Sequence, residues 1–191
     1  MADAAPPQTA SVKASADGPR WEPASEADLA VVAEQLGREP RGVLGIAARC
    51  ACGNPIVVAT SPRLPNGAPF PTLYYLTHPG ATAAMSTLEA QQLMVEMQER
   101  LAEDEELRAA YLRAHESYLA DRESIEVVEE LRGITAGGMP TRVKCLHALA
   151  GHALAAGPGL NPIGDWALEA SSWKASVCTC AEPGRAVSSA H

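Results

Sequence analysis

The sequence predicts a single α+β domain with disordered tails, in which a small, mainly antiparallel sheet is covered by helices. Three observations lead there. The chain has 191 residues, 47% of them hydrophobic, enough for one domain with a core and too few for two. Two β-rich runs, 43–50 and 55–60, are separated by a link of hairpin length, Ala51-Cys52-Gly53-Asn54, which makes them antiparallel neighbours. Between residues 81 and 133 the apolar spacing changes from the strand period to the helical one.

Residues 1–23 hold Ala, Pro, Ser and charge without apolar periodicity, so they bury too little to offset the entropy of ordering and read as a disordered arm. The domain is expected over residues 24–170. Ser25-Glu26-Ala27-Asp28 is a capping-box start, and Leu29, Val32, Ala33 and Leu36 follow at helical spacing before Gly37. A Pro-rich loop, 61–71, leads to a third strand at Thr72–Thr77, which His78-Pro79-Gly80 ends. Met85, Leu88, Leu93, Met94, Met97, Leu101, Leu107, Tyr111, Ala114, Tyr118, Ile125, Val128 and Leu131 mark two or three helices, broken at the acidic run 103–106. After the loop 133–140, Thr141–Lys144 reads as a short fourth strand, Leu146–Ala156 as a helix and 157–165 as a turn-rich exit, with Trp166-Ala167-Leu168 a last packed segment. Residues 171–191 read as a flexible tail.

The net charge of −8, from 15 basic and 23 acidic residues, argues against a nucleic-acid surface, which needs clustered cations. No run approaches the roughly 18 apolar residues of a membrane span, and the start of the chain lacks a secretory pattern. A cytoplasmic protein is expected, with its five Cys reduced and serving metal binding, catalysis or burial rather than disulfides.

Reactive groups concentrate at Cys145, His147 and His152, behind Arg142 and Lys144, with a second thiol cluster at Arg49-Cys50-Ala51-Cys52. Zinc takes Cys sulfur and His nitrogen, four together at structural sites. Cys50, His78, Cys145 and His147 or His152 supply such a set, and iron suits the same ligands. In a continuous helix Cys145 and His147 would be turned roughly 160° apart, so they share an ion only if Cys145 ends an extended segment and the helix begins after it. The alternative is that both thiols are small buried groups and the histidines cap helices.

A catalytic use of the same residues makes Cys145 a thiolate nucleophile with His147 or His152 as acid and base, while Arg49, Arg142 and Lys144 hold a small anionic substrate. A third class is a non-enzymatic protein whose Leu93, Met94 and Met97 offer a groove to a partner helix. Their joint exposure favours that reading and their burial counts against it.

Arg49-Cys50, Gly53, Pro55, the run Pro69–Thr77, Val143–His147 and Asn161–Gly164 stand in the same order as in the DUF501 family of uncharacterised bacterial proteins, which the chain resembles over about residues 27–168. The resemblance implies no settled activity. Family members are often encoded beside a septum-formation initiator, enolase and an exopolyphosphatase-like protein, which points to growth or division. The family pattern carries the thiol matching Cys50 and the Cys-Leu-His matching 145–147, often with Cys where this chain has His78. A His where relatives carry Cys is a natural swap between metal ligands, and the reading favoured is a metal site of Cys50, His78, Cys145 and His147, with zinc as the ion. Cys52, Cys178 and Cys180 fall outside it.

Overall fold

Ser25 starts the first helix, α1 (Glu26–Leu36): its hydroxyl accepts from the Asp28 amide while the Asp28 carboxylate accepts from the Ser25 amide, and Gly37 closes the helix at φ 65°. The chain then forms β1 (Val43–Arg49), turns through residues 50–54, and returns as β2 (Pro55–Thr60). Cys50 N–H donates to Asn54 O and Gly53 N–H to Cys50 O, both at 2.8 Å, which closes the turn. β2 is buried along its whole length because it is the central strand, with β1 on one side and β3 (Tyr74–Leu76) on the other, all antiparallel. The computed structural model describes residues 18–182 and residue 184. The architecture is the α+β mix that the sequence predicts.

Three helices follow: α2 (Pro79–Ala90), α3 (Leu93–Glu103) and α4 (Glu105–Glu123). The break expected at the acidic run is Asp104, whose carboxylate caps α4 by accepting from Leu107 N–H at 3.0 Å. Helix does not continue to residue 131. Arg122, only 2% exposed, donates to the carbonyls of Leu131 and Ile134 and folds that stretch back on α4. Met97 is buried, and Leu93 and Met94 pack against the core, so the three are not exposed together as a groove would require.

Two expectations for the last third are corrected. Thr141–Lys144 is no strand; the amides of Arg142 and Lys144 donate to Gly138 O and Gly137 O at 2.9 and 2.8 Å, and Val143 N–H donates to Gln98 Oε1 at 2.9 Å. With its amides taken by a turn and a side chain, the segment leaves the sheet at three strands among the described residues. After α5 (Leu146–Ala156) the expected exit is a helix, α6 (Pro162–Ala170), with Asn161 as its cap and Pro162 in its first turn. Glycines let these helices approach closely. A Cβ at Gly151 would meet Tyr74 O at 2.8 Å, and one at Gly164 would meet Leu149 O at 2.2 Å.

The segments read as arm and tail fall partly within the described residues. Residues 1–17, 183 and 185–191 lie outside them. Of the rest, Glu22 pairs with Ile46 of β1, and Arg20 Nε donates to Asp121 Oδ2 at 3.0 Å. Beyond α6, Trp173 is 6% exposed, Ala51 N–H donates to Ala175 O at 3.2 Å, and Asn54 Nδ2 donates to Glu182 O at 2.8 Å. The last described residues therefore lie against the β1–β2 turn.

Candidate metal centre

The β1–β2 turn carries Cys50 and Cys52, and the returning segment carries Cys178 and Cys180. One Cys-x-Cys pair faces the other, and the four sulfurs lie within 4.8 Å of one another. Cys52 Sγ and Cys180 Sγ are 3.6 Å apart. A disulfide would bring sulfurs to about 2.05 Å. Four thiolates at about 2.3 Å around a tetrahedral ion lie about 3.8 Å apart, and the observed spacing is close to that.

Charge points the same way. Burial raises Cys52, but the amides of Asn54 and Gly184 and the thiols of Cys178 and Cys180 outweigh it and hold Cys52 down to about 6. Burial and the neighbouring sulfurs push Cys50 and Cys180 up. One thiolate is thus easily formed and further ones repel it, a conflict that a bound cation removes by deprotonating its ligands outright. The four thiols can hold a metal ion.

His78 stands beside this cluster. Its Nδ1 accepts from the amides of Gly80 and Ala81 at 3.1 and 3.4 Å, capping α2, so the ring proton is on Nε2. That atom lies 3.3 Å from Cys180 Sγ and donates to it. Burial pushes the His78 pKa down, which keeps the ring neutral in this role.

Cys145 and His147 lie in a different group, with Glu89 of α2; Sγ, ring nitrogen and carboxylate oxygen are within 4.8 Å of one another. The chain at Cys145 is extended, φ −152° and ψ 107°, and α5 begins at Leu146, the geometry that lets Cys145 and His147 face one point. Cys145 Sγ is 3.9 Å from His147 Nδ1, which is 3.1 Å from Glu89 Oε1. Glu89 Oε1 also accepts from Leu146 N–H at 2.7 Å. The Cys145 sulfur and, against burial, the Glu89 carboxylate raise His147 to about 9, and His147 holds the Cys145 thiol below its ordinary value. Of the set Cys50, His78, Cys145 and His147, the fold places the first two at one cluster and the last two at the other.

The family model for DUF501, described as a protein of unknown function, matches residues 46–169. The chain belongs to the DUF501 family. No curated protein and no solved structure matches it. In this DUF501 chain Cys50 and Cys52 lie within the matched region and Cys178 and Cys180 beyond it, whereas Glu89, Cys145 and His147 all lie inside.

The other candidates are placed as follows. His152 is fully buried, stacked on Tyr74 with centroids 5.7 Å apart and edge-on to Tyr118 at 5.2 Å. Its Nδ1 accepts from Asn161 Nδ2 at 3.1 Å, and burial drives its pKa down to about 3. Arg49 donates to Asp28 Oδ1 at 2.6 Å, Glu22 Oε1 at 2.5 Å and Gly53 O at 2.8 Å, which ties α1 to the β1–β2 turn. Arg142 and Lys144 are exposed beside Cys145. Glu89 has no sequence signal, being one exposed-face carboxylate among many on helices. The paired spacing of Cys50-x-Cys52 and Cys178-x-Cys180 was a signal, masked by the tail-like composition around the second pair.

Proposed function

We propose that this DUF501 chain is a cytoplasmic zinc protein in which Cys50, Cys52, Cys178 and Cys180 form a closed structural centre. The convergence of four sulfurs from segments about 125 residues apart in sequence carries the reading. A reducing compartment suits it, because the thiols must be free to ligate. Zinc is favoured since four thiolates fill its tetrahedron and leave no reactive position; iron suits the same ligands. The role that follows is to fasten residues 171–182 onto the β1–β2 turn and the start of α2.

Elemental analysis of untagged protein purified without added metal tests this, with the double variant Cys52→Ser, Cys180→Ser beside it. The expected result is that the double variant carries one metal ion fewer per chain. Equal metal content in the two proteins would refute the assignment.

A further inference from the structure

We propose that Glu89, Cys145 and His147 form a second metal site, one that takes a single divalent transition ion such as zinc and leaves one coordination position open to solvent. The site is separate from the four-cysteine cluster and does not depend on it.

Three features carry the proposal. The first is geometry: around an ion with Zn–S of about 2.3 Å and Zn–N and Zn–O of about 2.0 Å, tetrahedral ligand atoms lie about 3.3–3.6 Å apart. The observed separations of 3.9 Å for sulfur to Nδ1 and 3.1 Å for Nδ1 to carboxylate oxygen bracket that range. The second is the far side of the imidazole. His147 Nε2 lies 3.1 Å from the carbonyl oxygen of Thr82 and 3.1 Å from Ser86 Oγ. A carbonyl only accepts, so Nε2 keeps its hydrogen, the outer arrangement by which metal-bound histidines are oriented; Nδ1, which faces the Glu89 carboxylate, carries a proton in the metal-free protein, and an ion takes the place of that proton when it binds. The third is charge. A thiolate from Cys145 and the carboxylate of Glu89 together neutralise a dication.

Helix capping alone does not account for this cluster. The bond to Leu146 N–H accounts for Glu89 as a cap and an ion pair accounts for its contact with His147 Nδ1, but neither brings in the Cys145 sulfur, which lies within 4.8 Å of both ligand atoms. The site is reachable, with the side chains of His147 and Glu89 29% and 26% exposed, whereas Cys50 is 4% exposed. Three protein ligands and a solvent-facing position are the make-up of a reactive zinc rather than a structural one.

Cobalt(II) alone is the probe, added to full-length apoprotein under reducing conditions. The wild type is expected to take two equivalents and Cys145→Ala one, with the strong sulfur-to-cobalt bands of the four-cysteine centre retained in that variant. Glu89→Gln should weaken the second equivalent about 10-fold or more. In the Cys52→Ser, Cys180→Ser protein one equivalent should remain, and azide should shift its visible bands by entering the open position. The proposal is overturned if Cys145→Ala binds as much cobalt as wild type, or if azide leaves the spectrum of the second site unchanged. Should the four-cysteine centre bind nothing while one equivalent is lost with Cys145, the structural-zinc reading fails and this one stands.

Discussion

His78 joins the first turn of α2 to the sulfur of Cys180: one ring nitrogen accepts from Gly80 and Ala81, and the other donates to Sγ 3.3 Å away. Helix cap and four-cysteine cluster therefore share a side chain. Replacing His78 with Asn retains an acceptor for the cap and removes the donor to sulfur. Metal affinity is expected to fall about 10- to 100-fold, the usual cost of losing an outer-shell partner. His78→Ala should lose in addition about 1 kcal/mol of stability with the cap. Chelator competition reads the first effect and urea unfolding of metal-free protein the second; equal metal affinity in wild type and His78→Asn would contradict the arrangement.

Stripping the metal should free the segment that carries Cys178 and Cys180. Lys174 Nζ donates to Leu168 O and Glu169 O at 3.0 and 3.1 Å, contacts that hold only while the segment stays folded against α6. The apoprotein is expected to be cut by trypsin after Lys174 much faster than the loaded form, with Trp173 becoming solvated. Equal cleavage rates would mean that packing of Trp173 alone retains the segment.

Much of this was legible in the sequence where local chemistry decides structure. Ser25 and Asp28 announce α1, the short link 51–54 sets an antiparallel hairpin, and the apolar period finds α2 to α4. What failed depends on distant partners. Val143 looks like strand, but Gln98 takes its amide. Trp173 sits in a tail-like composition, and its burial comes from elements far away in sequence. The candidate site was legible as residue types and not as pairings. Cys145 and His147 do face one point, through the extended chain at Cys145, while their third companion Glu89 lies on a helix 56 residues earlier and no local pattern marks it.

Arg49 and Asp28 form a largely buried pair, with side chains 26% and 3% exposed. Burial raises the Asp28 carboxyl, but bonds from Arg49 and Ser25 outweigh it and hold the pKa below the usual carboxylate range. A depressed folded pKa contributes stability above the unfolded value of 3.8 and loses it as pH falls through the folded value. Arg49→Met leaves a buried carboxylate without its cation and should cost about 1–3 kcal/mol at pH 7. Its deficit should shrink toward pH 4, where the unpaired carboxyl protonates. Urea unfolding at both pH values checks this, and a pH-independent deficit would point to lost packing instead.

Gly164 shows why the run Asn161-Pro162-Ile163-Gly164 takes its form. Asn161 Oδ1 accepts from Gly164 N–H at 3.0 Å, Pro162 occupies the first turn, and the bare Cα of Gly164 lets α6 lie against the Leu149 carbonyl of α5. An added methyl would sit 2.2 Å from that oxygen, and backbone cannot yield as a side-chain tip can. Gly164→Ala is expected to cost about 3 kcal/mol, the upper end for overpacking. Gly159→Ala serves as the comparison, since nothing lies within 4 Å of its Cβ position and only its φ of +89° is strained. A smaller loss at Gly164 than at Gly159 would show that α6 shifts freely.

His152 gives the fold a pH dependence of its own. With Tyr74 on one face, Tyr118 at its edge and full burial, the ring is held neutral, its pKa down at about 3 against 6.5 for the free group. The unfolded chain binds this proton near pH 6.5 and the native chain does not, so the contribution is complete above that pH and is lost as pH falls toward 3. Between pH 7.5 and 5 the loss amounts to about 2 kcal/mol. His152→Phe has no proton to bind in either state, and its stability should fall less than that of wild type over the same interval, whatever its value at neutral pH. Parallel urea-unfolding curves for the two proteins from pH 7.5 to 5 would mean that His152 titrates normally and is reached by water.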